Sequence, residues 1–274
     1  MREKINTQGL YRPQFEKDSC GFGLIAHMDG VPSHWLVKTA INALARLTHR
    51  GAVAADGKTG DGCGLLLKRP DKLLQEIAAE KNFTLAAQYA VGMVFLSPDS
   101  ATADKARKQL ESELKCEGLL VSGWREVPTD AEACGSEALK SLPQIEQIFV
   151  NAPDDMDADA FERHLYIARR RTEKVISPQD PVFYVPSLSS LVIYYKGLMM
   201  PENLPVFYKD LNDSRMESTI CVFNQRFYTN IWTQCRLAQP FRYLACHGEI
   251  NTVPGTPDLS VALGLTFSTA LIHL

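Results

Sequence analysis

The spacing of apolar positions changes several times along the chain, and each change marks an element. "CGFGLIAHM", residues 20–28, is a short apolar run between a polar leader and the turn pair Asp29-Gly30, and it reads as a buried strand. From Pro32-Ser33 the period lengthens. Trp35, Leu36, Thr39, Ala40, Ala43, Leu44 and Leu47 recur at three-and-four spacing, which predicts a helix capped by Ser33 and closed near "HRG" by Gly51. "ADGKTGDGCG" is turn-rich, "GLLLKRP" a short strand, and Asp71 a cap for a helix through "KLLQEIAAEKN". "QYAVGMVFLSP" has the composition of an inner strand. Ala103, Ala106, Leu110 and Leu114 share one helical face over 99–117, and 157–174 is helical again. "LLVSGWREVP", "QIEQIFVNA", "STICVFNQRFYTN" and "FRYLACHGEI" read as strands, and "PVFYVPSLSSLVIYYKGL" as two strands joined in a hairpin.

Strands therefore come in pairs and runs, with helices between the groups. That pattern favours an α+β fold with antiparallel sheets over a doubly wound parallel sheet. It predicts one domain carrying helical insertions near 99–117 and 155–175.

Composition narrows the picture. The 274 residues are 45% hydrophobic and 22% charged, enough to bury a core without disulfides or metals. A net charge of −3 offers nucleic acid or an acidic membrane no electrostatic reason to bind. The basic run "IARRRTEK" falls on a predicted helix and reads as its solvated face. No run is long and apolar enough to span a bilayer, and the first nineteen residues lack the apolar centre of a secretory signal. Seven cysteines, at 20, 63, 116, 134, 221, 235 and 246, form no C-x-x-C pair and make an odd count. Neither a zinc site nor a disulfide framework is expected, and the reducing cytoplasm is the expected location.

Cys20 carries the candidate chemistry, with two readings open. It is a small core residue at the head of the first strand, or it becomes the first residue of a mature chain. A thiol attacks as thiolate, with an ordinary pKa of about 8.5. A free α-amino group, at about 7.7–8.0, can hold the thiol proton near neutral pH, so an N-terminal cysteine would bring its own base. Glycines on both sides of Phe22 would let the backbone approach a substrate closely.

Several blocks stand in one order: "CGFGLIAHMDG", "ALARLTHRGAVAADGKTGDGCGLLL" (43–67), "LPQIEQIFVNAP", "IARRR", "QRFYTN" and "LAQPFRYLACHGEINT" (237–252). Together they resemble the N-terminal glutaminase domains of bacterial glutamate synthase large subunits, among the class II glutamine amidotransferases. The resemblance covers about residues 15–252. It implies a four-layer αββα sandwich of two antiparallel sheets, the N-terminal-nucleophile hydrolase type. It also implies a leader, 1–19, removed to expose Cys20 as nucleophile, an amidotransferase domain over 20–252, and a divergent tail over 253–274. Cys20 would attack the side-chain amide of L-glutamine, ammonia would leave, and water would release glutamate from a thioester. Arg226 matches the arginine that clamps the substrate carboxylate, a task suited to its planar fork; a strand-end salt bridge is the plainer alternative. Arg50 matches an arginine that orders the pocket, or serves structure alone. The backbone N–H of Gly248 would donate to the oxyanion.

The chain departs from the family at several of these places. His247, in "CHGEI", stands where an asparagine normally donates to the oxyanion, either as a substitute ring donor or as a change without catalytic purpose. Losing one such donor typically costs about 10²–10³ in rate. Asn224 and Tyr228 replace a histidine and a serine, and "NIWTQC" lacks the usual proline-containing loop. The tail has no match for the aspartate that binds the substrate amino group, and Asp258 is not at its position. Strands that complete the sandwich are expected to be missing, as in a truncated or frame-disturbed product. FMN and an iron–sulfur cluster belong to the synthase module of the family and are not expected here. That module and the small subunit are the implied protein partners. An inactive remnant or binding domain that keeps the fold is the alternative function.

Overall fold

A computed structural model describes residues 21–225 together with Cys235 and Gly264. In chain order the elements are β1 (Phe22–Ala26), α1 (His34–Ala45), β2 (Cys63–Lys68), α2 (Asp71–Glu80), β3 (Tyr89–Leu96), α3 (Ser100–Cys116) and β4 (Leu120–Glu126). There follow α4 (Ser136–Leu139), β5 (Gln144–Asn151), α5 (Ala158–Ile176), β6 (Tyr184–Ser189), β7 (Val192–Gly197), α6 (Leu204–Phe207) and β8 (Ile220–Gln225). The strands form two four-stranded sheets, ordered β1-β8-β2-β7 and β4-β5-β3-β6. Every pairing in both sheets is antiparallel. This is the α+β arrangement expected from the sequence, two antiparallel sheets with helices, consistent with the N-terminal-nucleophile type.

Period-two alternation explains the layering. In β3, Val91, Met93 and Phe95 enter one core with Ile145 and Phe149 of β5. The same core takes Leu65 and Leu67 of β2, Ile193 and Tyr195 of β7, Cys221 and Phe223 of β8, and the buried side of α1. The intervening residues Ala90, Val94 and Leu96 face a second core. There they meet Ala103, Ala106, Leu110 and Leu114 of α3 and Phe161, Leu165 and Ala168 of α5. Asp99 and Asp157 cap these two helices through Thr102 and Ala160 N–H, at 2.9 and 2.8 Å. The stretches read as helical insertions are thus the layer that covers the second sheet. Their Ala/Leu faces are complementary to a strand, which a surface insertion would not need.

Three local expectations are corrected. β6 and β7 are consecutive but do not form a hairpin: β6 pairs with β3 and β7 with β2, in different sheets. The Glu162 carboxylate of α5 accepts from the Ser189 and Ser190 hydroxyls, at 3.0 and 2.7 Å, where the chain crosses between sheets. Asp71 does not cap α2; it is the first helical residue, and its carboxylate accepts from Arg69 Nε at 2.7 Å and the Tyr89 hydroxyl at 2.6 Å. In α1, Ser33 caps as expected, accepting from Leu36 N–H at 3.2 Å. The buried face is Leu36, Val37, Ala40, Ile41 and Leu44, however, with Trp35 71% exposed. The face is rotated because β1 and β8, not solvent, decide which side of the helix is covered.

A buried polar network ties the two sheets together. Arg125 of β4 pairs with Asp210 and donates through Nε to Gln147 Oε1 of β5 at 2.7 Å. The Tyr195 hydroxyl of β7 donates to Asp210 Oδ2 at 3.2 Å. A buried ion pair is tolerated when its remaining valences are satisfied in this way.

Candidate active site

At one end of the first sheet four strand termini converge. β1 and β2 begin there, and β8 and β7 end there. Asn224 lies opposite both Phe22 and Gly64, and Cys63 opposite both Gln225 and Gly197. The Gln225 N–H donates to the Gly21 carbonyl at 2.7 Å, fixing the residue after Cys20 to the residue before Arg226. Gly23 of the "CGFG" run does not open a path for substrate. A Cβ there would lie 2.4 Å from the ring of Phe223, so the glycine admits that side chain.

The turn-rich loop between α1 and β2 closes over this end. Val53 and Gly60 form an isolated bridge, and Ala54 N–H donates to Thr59 O at 2.9 Å. The Asp56 carboxylate organises the rest. It accepts from the N–H groups of Glu137, Thr59 and Lys58 at 3.0, 2.8 and 3.0 Å, and from the Thr59 hydroxyl at 2.6 Å. These bonds, that of Glu137 first, hold its pKa well below the usual carboxylate range. Gly60 fits because a Cβ would come 2.6 Å from the Met199 carbonyl.

Gly51 was expected as a left-handed helix cap, but its φ is −101°. Its purpose is close approach: a Cβ would sit 1.9 Å from Gln225 Nε2 and 2.8 Å from Asp61 Oδ1. The residue after Arg50 is thereby pressed against the residue before Arg226. Gln225 is fully buried, and its side-chain amide finds no hydrogen-bond partner among the described residues. Buried polar atoms are normally paired, so this amide keeps hydrogen-bonding capacity at the strand end.

The buried cysteines are unsuited to nucleophilic work. Burial pushes the Cys63 thiol far up, Cys221 up to about 12, and Cys134 and Cys235 up to about 11. All five described cysteines, Cys116 included, are free thiols. Lys196, at the end of β7, is 1% exposed, and burial lowers its ammonium to about 7.

Of the residues singled out from sequence, Arg50 is described: it is half-buried and closes the short 3₁₀ turn 48–50 beside Gly51. Cys20, Arg226, His247 and Gly248 lie outside the described residues, as do Tyr228, Asp258, the strand "FRYLACHGEI" and the tail apart from Gly264. The sequence reading passed over Gln225, Asp61, Asp56 and Lys196. A signal existed for Lys196, the single charge inside the apolar run "VIYYKGLMM", and for Asn224-Gln225, the polar pair ending "ICVF". The basic run of α5 is accounted for by acids: Arg170 meets Glu173 at 2.5 Å and Arg171 meets Glu117 at 2.7 Å.

Comparison with known proteins fits this geometry. A family model described as "Glutamine amidotransferases class-II" matches residues 20–273. The glutamate synthase (NADPH) large chain of Bacillus subtilis strain 168 is 42% identical over 250 residues, 91% of this chain and 16% of that protein. The corresponding large chain of Azospirillum brasilense is 42% identical over 254 residues, 92% of this chain and 17% of that one. A ferredoxin-dependent glutamate synthase of Arabidopsis thaliana is 38% identical over 263 residues, 92% and 16% of the two chains. The chain thus spans about a sixth of the length of these curated relatives. Among the described residues, no helix is long and apolar enough to cross a membrane.

Proposed function

We propose, from the premise that the chain belongs to the class-II glutamine amidotransferases, that it hydrolyses L-glutamine to glutamate and ammonia through Cys20. Residues 1–19 are a leader whose removal frees the Cys20 α-amine, 20–252 are the amidotransferase domain, and 253–274 are a divergent tail. The amine accepts the thiol proton, and the thiolate attacks the substrate's side-chain carbonyl. The oxyanion takes hydrogen bonds from Gly248 N–H and a His247 ring N–H. Collapse of the tetrahedral adduct breaks the C–N bond, and ammonia leaves with the proton held by the amine. Water then cleaves the thioester, restoring the thiol and releasing glutamate. Arg226 clamps the α-carboxylate, and Arg50, held beside Gln225, orders the pocket. The reaction is redox-neutral and needs no cofactor; FMN and an iron–sulfur cluster belong to a synthase module, the partner that would consume the ammonia, with electrons arriving through a small subunit.

The observation that carries this reading is a family match whose first residue is Cys20. The strand end supports it. One trans peptide spans about 3.8 Å, so Cys20 and Arg226 are each one residue from the hydrogen-bonded pair Gly21 and Gln225. Burial and raised thiols make Cys63, Cys134, Cys221 and Cys235 poor nucleophiles in its place.

Ammonia release from glutamine, followed with the intact mass of the protein, tests the proposal. Cys20→Ala is expected to abolish release, and the active wild-type species to lack its first nineteen residues. Release that persists in Cys20→Ala removes the residue from the mechanism. The departures at Asn224, Tyr228 and His247 favour a second reading, an inactive domain that keeps the fold. That reading expects no ammonia from the wild type, and no gain from His247→Asn.

A further inference from the structure

β2 is paired on both sides at Gly64, to Asn224 of β8 and to Lys196 of β7. Directly opposed residues of an antiparallel sheet share a face, so Asn224 and Lys196 flank a position that carries only a hydrogen. Strand spacing of about 4.8 Å puts their Cα atoms roughly 10 Å apart, a gap within the combined reach of the four-carbon stem of lysine and the shorter asparagine. Both side chains are 1% exposed. Asn224 immediately precedes Gln225, whose N–H holds Gly21. The row therefore lies directly behind the strand ends of the candidate site.

Lys196 is held from several sides. Its backbone carbonyl accepts from the Tyr208 hydroxyl at 2.8 Å, and its ammonium lies 4.7 Å from the centroid of the Tyr184 ring of β6. The Cys235 thiol and, from α5, the Arg169 guanidinium act on its charge in opposite senses. Nothing in the mechanism above uses this buried amine.

We propose that Lys196 is a positioning residue that orients the Asn224 carboxamide, so that Asn224 presents N–H donors to the amino-acid substrate. The role rests on the glutaminase reading above and adds to it a donor that the proposed Arg226, His247 and Gly248 set does not include. An ammonium has three donors and no acceptor. A protonated Lys196 therefore takes Asn224 Oδ1 and leaves Nδ2 directed outward, where it suits a carboxylate or a developing oxyanion. A neutral amine keeps two N–H donors but adds a lone pair, so it can hold the carboxamide either way round. The outward donor is then no longer fixed, and the orientation that shows the oxygen repels both anions. Burial sets this exchange near pH 7.

The experiment compares two labels on Cys20 of the chain freed of residues 1–19, from pH 6 to 9: a glutamine-analogue diazoketone and iodoacetamide. The ratio of their rates cancels the titration of the thiol and isolates substrate recognition. In the wild type the ratio is expected to fall about tenfold as pH rises through 7. In Lys196→Met it should be low and flat, whereas in Lys196→Arg, which stays charged, it should remain high across the range. Asn224→Ala should match Lys196→Met, and it serves as the test if the methionine variant does not fold. A wild-type ratio and pH profile in Lys196→Met, or in Asn224→Ala, overturns the role while leaving the glutaminase reading intact. Failure of both reagents to label wild-type Cys20 overturns the glutaminase reading, and the role of Lys196 with it.

Discussion

The sheet β4-β5-β3-β6 is closed on its outer side by α3 and α5, and all eight residues of its inner strand β3 are buried. The sheet β1-β8-β2-β7 is finished differently. Its edge strand β1 leaves Phe22 and Leu24 exposed, while its far end buries Asn224, Gln225 and Lys196. The core between the first sheet and its helices is apolar and complementary, and the buried charges of its strands are paired, Glu146 with Arg107 at 2.5 Å and Arg125 with Asp210. The second half spends burial on polar groups and relies on glycines where other residues collide. Burying polar groups is costly even where they find partners, and a fold sustains it where the groups have work to do. The helix-backed half supplies the stability on which the other half draws.

That division can be tested by measuring stability and Cys20 labelling side by side. The largest effect on stability is expected from Phe161→Ala in the second core. Removing a fully buried ring costs about 3–5 kcal/mol, read as a lower urea midpoint, with labelling of the remaining folded protein unchanged. An altered labelling rate would show that the helical layer reaches the site.

Gly23→Ala is the matching change in the other half. Its Cβ would meet the Phe223 ring at 2.4 Å, an overpacking that costs about 1–3 kcal/mol. Here the midpoint and Cys20 labelling should fall together, because Gly23 is three residues from Cys20. Labelling that stays at the wild-type rate would sever the strand from the site.

The smallest effect is a pH slope. Unfolded lysine keeps its proton up to about pH 10.4, whereas buried Lys196 gives it up near 7. Between these values the unfolded state binds more protons, so stability rises with pH, by up to about 1.4 kcal/mol per pH unit. The difference between wild type and Lys196→Met, from urea melts at pH 7 and pH 8, isolates this contribution from the buried thiols. A flat difference would mean that the ammonium is fully compensated, and the contrast between the halves would lose its strongest example.

Legibility in the sequence followed the same division. The alternation in "QYAVGMVFLSP" and the Ala103/Ala106/Leu110/Leu114 face were readable because burial there follows a local period. Trp35 misled because its helix meets a sheet on one side only, and the apolar arc is wider than the covered one. Gly51 and Gly23 were recognised as special for the wrong reason. A glycine that serves a left-handed φ and one that serves a close approach look identical until the neighbour is known. Cys20, Arg226, His247 and Gly248 were singled out from their blocks alone and lie outside the described residues.

What the chain determined by itself is local: where elements begin, which capping residues start them, and which residues are apolar enough for a core. These depend on neighbours within one or two turns. The crossing of β6 and β7 into different sheets, the pressing of Gly51 on Gln225, and the row Asn224–Gly64–Lys196 were decided by the tertiary structure. Each joins segments distant in sequence, with no period linking them. Strand register, not local propensity, selects which side chains meet.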